Sequence, residues 1–390
     1  MYDFTRHRRE YNMNILIGAD LVPTESNAEY FVKGDIRHLF GDELVTVLND
    51  ADYRIFNLEV PLTKKASPIP KCGPNLIADT DTVSGYKAAG TDLLTLANNH
   101  ILDQGTDGLD STLKTLEDAG ISYVGVGNTP IEAARPFIFE CDGKKIGVYA
   151  CAEHEFSLVT DRSAGANPID LLESPDHVVA LKAQCDYVIV LYHGGKEHYR
   201  YPSPDLQKVC RKLVEKGADL VICQHSHCIG CEEKYAGGTI VYGQGNFLFD
   251  YSDNECWQTG MLVEIDDDFG ISYRPLVKSG NCVRLADEEN RQKILEGFYK
   301  RSEEIKSPDF VESEYSKFAD TFRISYMRAL SGKNSFIFRV LNRLTGGWLL
   351  RETLRRKYPV VNKYQVINFM DCEAHRELML RAISMVKDKE

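Results

Sequence analysis

LANNHILDQG, residues 96–105, is the stretch from which the fold is most directly inferred. It begins at the end of the apolar run 92–96, which is typical of a buried parallel strand, and a predicted helix over 106–119 follows it. Asn99 and His100 are therefore expected on a strand-to-helix loop. Because such loops hold the ligands of open α/β sheets, this polar loop is a candidate site.

Four other predicted strands end in side chains of the same chemical kind. These strands cover 14–19, 53–58, 187–192 and 219–223. The polar residues at or just after their carboxyl ends are Asp20, Glu59, His193, His225 and His227. Because parallel strands end at one edge of a sheet, we expect these side chains to converge.

Carboxylate, amide and imidazole ligands of this kind suit Mn²⁺, Fe²⁺ or Zn²⁺. With His100 included, the seven candidate groups exceed what a single ion requires. Two ions about 3.5–4 Å apart share a bridging carboxylate and stabilise the attacking and leaving oxygens of an in-line displacement. Glu59 is the expected bridge, so the sequence predicts a cofactor of two divalent metal ions.

Composition limits the classes of partner. The chain has 390 residues, 43% of them hydrophobic, and can bury a large core. Its formal net charge of −12 argues against nonspecific nucleic-acid binding, which needs a basic excess, so an anionic substrate must be captured locally. Residues 1–10 are basic without a following apolar signal region, and no apolar run reaches transmembrane length. Together with eleven scattered cysteines, these features predict a cytoplasmic protein.

The pattern changes near residue 285. Before it, helices are predicted over 35–50 and 80–89, a proline-rich loop over 60–78 and a hairpin over 137–149. After it, only helices are predicted, over 288–305, 315–330, 335–345 and 370–387. We therefore expect an α/β domain over 14–285 and a helical C-terminal region over 286–390.

Five segments carry a resemblance to a known family. They are NLEVPLT at 57–63, ANNHILDQG at 97–105, HGGKE at 193–197, GADLVICQHSH at 217–227 and YGQGNF at 242–247. In this order they resemble the bacterial capsule synthesis family CapA, which is linked to poly-gamma-glutamate capsule production. The resemblance covers about residues 14–285 and implies the calcineurin-like metallophosphatase fold, a two-sheet sandwich flanked by helices.

The resemblance also implies roles for individual residues. Asp20, Glu59 and His227 would hold one metal ion, and Glu59, Asn99, His193 and His225 would hold the other. His100 would be the acid that protonates the leaving oxygen, with Asp103 orienting it. The superfamily's first motif is Asp-x-His, whereas this chain has Val22 at the third position, so one ion loses an imidazole ligand. The opening Gly18-Ala19-Asp20 also contains one residue more than the family's glycine-aspartate pair.

Residues that could bind the substrate are less well defined. Lys71 in the proline-rich loop and Arg135 before Pro136 could each pair with a phosphate or carboxylate, although each could equally be a solvated surface cation. Glu197 follows His193 closely enough to line the same opening. Asn246 lies in a glycine-rich turn that lets the backbone approach a site closely.

Two classes of function remain open. The first is a metal-dependent hydrolase of phosphoesters, or of an amide such as a gamma-glutamyl bond, acting on an anionic small molecule or polymer. The second is a non-catalytic accessory protein of capsule polymer assembly that uses the same fold for binding. Either could work with membrane-associated capsule assembly partners.

One apolar stripe stands out in the C-terminal region. It comprises Ile337, Val340, Leu341, Leu344 and Trp348, which fall on one helical face. The surrounding basic residues are Arg339, Arg343, Arg351, Arg355, Arg356, Lys357 and Lys363. We expect the stripe to pack onto the α/β domain; the alternative is docking on an anionic membrane surface or polymer.

Overall fold

The computed structural model describes residues 13–250, 252–332 and 335–384, and the basic segment 1–10 lies outside these residues. The chain divides into two compact units, one that ends at Ser313 and one that begins at Glu314. The first unit extends beyond the predicted boundary at residue 285, because Phe298 is fully buried among residues of the sheets.

The larger sheet has eight strands within the described residues. They are β1 (Ile15–Leu21), β2 (Tyr53–Asn57), β3 (Leu93–Thr95), β4 (Ser122–Val124), β13 (Asn246–Leu248), β14 (Thr259–Ile265), β15 (Ile271–Ser279) and β16 (Cys282–Leu285). Their order is β16-β15-β14-β1-β2-β3-β4, and β13 also pairs with β1. Strands β1 to β4 and β13 are parallel, so their carboxyl ends share one edge.

The second sheet has six strands in the described part of the chain. They are β6 (Phe137–Cys141), β7 (Lys144–Ala152), β9 (Tyr187–His193), β10 (Leu220–Gln224), β11 (Glu232–Tyr235) and β12 (Gly238–Tyr242). The order is β11-β12-β10-β9-β7-β6, in which β7, β9, β10 and β12 are parallel. The short strands β5 (Val126–Gly127) and β8 (Gly165–Ala166) form a separate antiparallel pair.

Side chains alternate between the two faces of each sheet, and this alternation builds the layers. Ile17 of β1 packs with Ile189 of β9 between the sheets, whereas the adjacent Leu16 joins the core under the helices. On the outer face of the second sheet, Val190 packs against Leu213 of a covering helix. Burying such a side chain contributes about 1.5–3 kcal/mol. The predicted α/β sandwich of two sheets flanked by helices is thus confirmed.

Among the described residues, eight helices lie wholly within the first unit, and all except α1 and α5 were predicted. They are α1 (Ala28–Lys33), α2 (Ile36–Asp50), α3 (Val83–Ala88), α4 (Gly105–Ala119), α5 (Pro130–Ala133), α6 (Glu173–Lys182), α7 (Pro204–Glu215) and α8 (Glu288–Glu304). Helix α7 shows why they begin where they do. Pro204 occupies its first turn, and the hydroxyl oxygen of Ser203 accepts a hydrogen bond from the Leu206 amide at 3.0 Å.

The C-terminal helices are α9 (Pro308–Leu330), α10 (Phe336–Leu344), α11 (Trp348–Lys357), α12 (Val360–Asp371) and α13 (Glu373–Ser384). The helix predicted over 370–387 is present as α13, but it begins at Glu373, because Cys372 has an extended backbone that separates it from α12; residues 385–387 lie outside the described residues. The predicted stripe is also not buried: Ile337 is 71% exposed and Leu344 is 77% exposed. Among the described residues, no helix combines the length and apolar character needed to span a bilayer.

Candidate metal centre

The six side chains predicted as metal ligands meet at the carboxyl ends of strands from both sheets. Asp20 lies within β1 and His193 ends β9, and the others follow β2, β3 and β10 directly. All of them are buried. They are Asp20, Glu59, Asn99, His193, His225 and His227, and we call this group the candidate metal centre.

The half of the centre around His193 is compact. Nε2 of His193 lies 3.1 Å from Oδ1 of Asn99, 3.1 Å from Nδ1 of His225 and 3.2 Å from Oε1 of Glu59. Neighbouring ligand atoms around a tetrahedral ion with bonds of about 2.0 Å are separated by about 3.3 Å. The three distances from Nε2 of His193 are close to this spacing.

The half around Asp20 depends on an irregularity in β1. Ile17 pairs with Ile55 of β2, but Asp20 pairs with Asn57, so β1 contains one additional residue in this interval. This β-bulge accommodates the residue inserted in Gly18-Ala19-Asp20 and keeps Asp20 at the edge of the sheet. Oδ2 of Asp20 lies 3.4 Å from Nδ1 of His227.

Val22 provides no ligand in this half. Its side chain is buried, and its amide donates to the carbonyl oxygen of Leu248 at 2.8 Å. A further oxygen ligand could come from Asn246 of β13, whose Oδ1 is 2.8 Å from Nδ1 of His227. This half therefore offers fewer converging ligand atoms than the half around His193.

Three buried carboxylate oxygens provide a direct test of whether a cation fits. Within the described residues, Oδ2 of Asp20 and both oxygens of Glu59 accept no hydrogen bond. A buried carboxylate without compensation is costly, so such groups normally pair with a cation or coordinate a metal. A further close grouping of ligand atoms joins Glu59 with His225 and His227. The donor set thus fits divalent ions.

The protonation behaviour of the centre follows from its burial and charge. Burial opposes ionisation of Glu59, yet His193 and His227 lower the pKa of this carboxyl below its usual range. For His227, burial alone would lower the pKa, but Asp20 and Glu59 raise it to about 9. Burial and the neighbouring His193 lower the pKa of His225 well below its usual value. A metal-ligating histidine must be neutral, so the lowered pKa of His225 favours this role, whereas His227 would have to release its proton when an ion binds.

The backbone that presents two of the imidazoles is unusual. His225 has φ 83° and His227 has φ 52°, in the left-handed region that non-glycine residues rarely adopt. Such conformations persist where the surrounding structure holds them and are concentrated at functional sites. The alternation of left-handed residues turns both imidazoles toward Glu59 within a short segment.

Sequence reasoning missed the residues that orient these ligands. The side-chain amide of Asn57 donates to Oδ1 of Asp20 at 2.7 Å and lies 3.3 Å from Nδ1 of His193. Glu153 and Glu155 follow β7 directly, in a stretch whose sequence pattern predicts only irregular structure. Their position after a buried parallel strand was the signal that could have identified them.

The two glutamates contact different ligands of the half around His193. Oε2 of Glu155 accepts a hydrogen bond of 2.9 Å from Nδ2 of Asn99, which leaves Oδ1 of Asn99 directed at His193. Oε1 of Glu153 lies 3.5 Å from Nε2 of His225. Partners of this kind fix the orientation of metal ligands and increase their affinity for the ion.

His100 and Asp103, predicted as the catalytic pair, are in contact. Nδ1 of His100 lies 2.5 Å from Oδ2 of Asp103, and the same carboxylate accepts a hydrogen bond of 2.6 Å from the Leu76 amide. Lys71 forms an ion pair with Asp103, and its side chain is only 1% exposed. The proline-rich loop thus supplies a buried cation beside His100. Lys71 is therefore paired with Asp103, and its substrate-binding role stays a prediction.

The other predicted substrate contacts are dispersed. Arg135 lines a cavity of about 510 Å³ with Tyr149 and His177, and none of the described residues lining it is a predicted metal ligand. Glu197 is half-buried in the segment after β9. Asn246 alone touches the centre, through its contact with His227, and its Nδ2 is buried without a hydrogen-bond acceptor in the described part of the chain.

Comparison with known proteins adds a family relationship. The family model described as "Bacterial capsule synthesis protein PGA_cap" matches residues 14–251. A "Capsule biosynthesis protein CapA" of Bacillus anthracis is 30% identical over 217 residues, covering 52% of this chain and 52% of that protein. A "Probable polyglutamine synthesis accessory protein" of Mycobacterium tuberculosis is 28% identical over 231 residues, covering 56% and 61%. The chain thus spans about half the length of the curated relatives it matches.

Solved structures share the general fold at low similarity. A hypothetical protein from Thermus thermophilus is 15% identical with a TM-score of 0.44, covering 68% of this chain and all of that one. A 5'-nucleotidase precursor from the same organism is 13% identical with a TM-score of 0.40, covering 74% and 58%. Both TM-scores lie below 0.5, and neither likeness bears on function.

Proposed function

Because the chain belongs to the bacterial capsule synthesis protein family PGA_cap, we propose that it is a metal-dependent hydrolase of phosphoester type. It would act in the biosynthesis of a capsule or surface polymer similar to poly-gamma-glutamate. The observation that carries this proposal is the group of three ligand atoms around Nε2 of His193, together with Oε2 of Glu59, which is buried beside them and accepts no hydrogen bond from the described residues.

The proposed cofactor is a pair of divalent ions, Mn²⁺, Fe²⁺ or Zn²⁺. One ion would be held by Asp20, Glu59 and His227; the other would be held by Glu59, Asn99, His193 and His225. The chemistry that divalent ions supply in such a site is Lewis acidity and the activation of water for in-line displacement. The absence of an imidazole at Val22 leaves the first ion with fewer protein ligands, so it should bind more weakly.

His100 is the proposed general acid. Oδ2 of Asp103 would accept a hydrogen bond from Nδ1–H of His100 and so fix the ring orientation. Nε2 is then the nitrogen that can deliver a proton to the leaving oxygen as the bond between phosphorus and that oxygen breaks. Lys71 pairs with Asp103 and holds it in position.

The substrate class follows from the charge of the centre. A phosphoester or anionic polymer would be held mainly by the ions, because Lys71 is already paired. The free Nδ2 of Asn246 is a suitable hydrogen-bond donor to a substrate oxygen near the ion held by Asp20. Roles for Arg135 and Glu197 stay predictions. So does the cytoplasmic location, which the eleven free thiols support, and so do the membrane-associated partners.

Two alternatives share the same centre. The same ions could hydrolyse a gamma-glutamyl amide, in which case His100 would protonate a leaving amine. A non-catalytic role in polymer assembly is favoured by one observation, the word "accessory" in the description of the mycobacterial relative. Retained metal ligands without turnover would characterise that second case.

The test combines metal analysis with a substrate panel. Purified full-length protein is loaded with Mn²⁺, desalted and examined by elemental analysis, then assayed on phosphomonoesters, phosphodiesters and gamma-glutamyl amides. We expect bound Mn²⁺ and turnover of a phosphoester, with Glu59→Gln as the control for contaminating phosphatase. Bound Mn²⁺ without any turnover would establish the accessory role instead, and absence of bound metal would contradict the centre itself.

A further inference from the structure

Helix α10 has an apolar face that other described residues do not cover. Phe336 is 73% exposed, Val340 is 41% exposed and Leu341 is 46% exposed, in addition to Ile337 and Leu344 on the same arc. The opposite arc is the one that packs, because Phe338 is half-buried, and Leu350 of the neighbouring α11 is buried. A contiguous exposed apolar surface of this kind marks an interaction site.

The apolar face is bordered by a concentrated positive charge. Residues 335–363 carry seven basic side chains and the single acidic residue Glu352, although the whole chain has a net charge of −12. Arg339 and Arg343 lie one turn apart beside the apolar arc and are exposed. Neither has an ion-pair partner among the residues described by the structure. The charge is therefore available to an external anionic partner.

We propose that residues 335–363 bind the surface of an anionic lipid bilayer, with α10 lying in the plane of the interface. An anionic polymer could satisfy the arginines but would leave the apolar face in water, whereas a bilayer provides acidic headgroups and an apolar layer together. Trp348 at the start of α11 is 58% exposed and suits the headgroup level. Membrane binding would stand whether or not the centre is a phosphoesterase, because no residue of α10 belongs to that centre.

Sedimentation with vesicles tests this directly. Full-length protein is mixed with sucrose-loaded vesicles of phosphatidylcholine alone or with about one third phosphatidylglycerol, at low and high salt. We expect pelleting only with the anionic vesicles and release by salt. A triple variant combines Arg339→Gln, Arg343→Gln and Arg351→Gln. Its partition coefficient should be about 100-fold lower, since each basic residue near the surface contributes about fivefold.

Matched control variants test whether membrane binding depends on residues 335–363 in particular or on the charge and hydrophobicity of the whole protein surface. A control triple variant removes the same charge from exposed positions of the first unit, through Lys87→Gln, Lys208→Gln and Lys293→Gln. Its binding to vesicles should be unchanged. Ile337→Ser, Leu344→Ser should lower partitioning by about tenfold or more. Leu171→Ser, Leu172→Ser, at positions that are 66% and 80% exposed, should have no effect.

Three outcomes would overturn the proposal. One is equal pelleting with neutral and anionic vesicles by all variants. Another is binding of soluble poly-gamma-glutamate by the wild type with no vesicle binding, which would make the partner a polymer. The third is a fall of several degrees in the melting temperature of Ile337→Ser, Leu344→Ser without vesicles, or a change in its oligomeric state. Either effect would show that the apolar face is covered by protein.

Discussion

The two halves of the candidate metal centre differ in how many ligand atoms lie close together. Around His193, three ligand atoms lie within 3.2 Å of Nε2, and Glu155 orients one of these ligands. Around Asp20, the closest imidazole is 3.4 Å away, and Val22 contributes no ligand. For the proposed two-ion centre, this difference predicts that the ion near His193 binds tightly and the ion near Asp20 binds more weakly.

Removal of the shared carboxylate should have the largest effect, because it affects both halves. In Glu59→Gln we expect metal content to fall to background and hydrolysis to be lost. The stabilisation that Mn²⁺ gives the wild type should disappear as well, which is about 2.7 kcal/mol at 100 times the dissociation constant. Elemental analysis and thermal melts with and without Mn²⁺ measure both effects. Retention of one full equivalent of metal would show that Glu59 does not bridge the halves.

Loss of the proposed acid should be the next largest effect and should leave both halves intact. His100→Asn should retain metal but reduce turnover by about 10²–10⁴, the usual contribution of a positioned acid. A nitrophenyl ester, whose leaving group needs little protonation, should be affected much less. The comparison of the two substrates by steady-state kinetics is the measurement. A variant that loses metal as completely as Glu59→Gln would make His100 a ligand instead.

Separate substitution of His225 and His227 should distinguish the two halves of the centre directly. His227→Ala should remove the weaker ion and retain the tighter one, because the ligands around His193 remain. His225→Ala should remove the tighter ion, because His225 is one of its four proposed ligands. Isothermal titration calorimetry with Mn²⁺ measures the two affinities. Equal losses in the two variants would mean that the halves are energetically equivalent despite their different geometry.

Much of this arrangement could be predicted because buried strands and their polar ends are local signals. The strands that end near His193 and His225 are long apolar runs, and both appear in the structure where expected. Strand β13 was missed because a three-residue strand after a glycine-rich turn gains its conformation from pairing with β1. The β-bulge at Asp20 was also not predicted, since it depends on the register with β2.

In the C-terminal region, the sequence predicts the helices but not what their apolar faces contact. Helical periodicity predicted α8, α9 and α10 well, because it is a property of the local sequence. What the apolar face of α10 contacts is not local information, and the expected burial of Ile337 and Leu344 is not observed. Periodicity identifies a face that needs a partner and leaves the identity of that partner open.

The smallest predicted effect concerns the glutamate that orients Asn99. Because Nδ2 of Asn99 donates to Glu155, the carbonyl oxygen of the amide is held toward His193, where the ion would bind. In Glu155→Ala the amide can rotate and present its NH₂ group, so affinity for the tighter ion should fall by about 10–100-fold. The weaker ion should change little, since Asp20 is held separately by Asn57. Glu197→Ala removes the same charge from the segment after His193 and is the matched control. If both variants weaken Mn²⁺ binding equally in calorimetry, Glu155 acts through its charge alone, and the difference between the halves does not arise from ligand orientation.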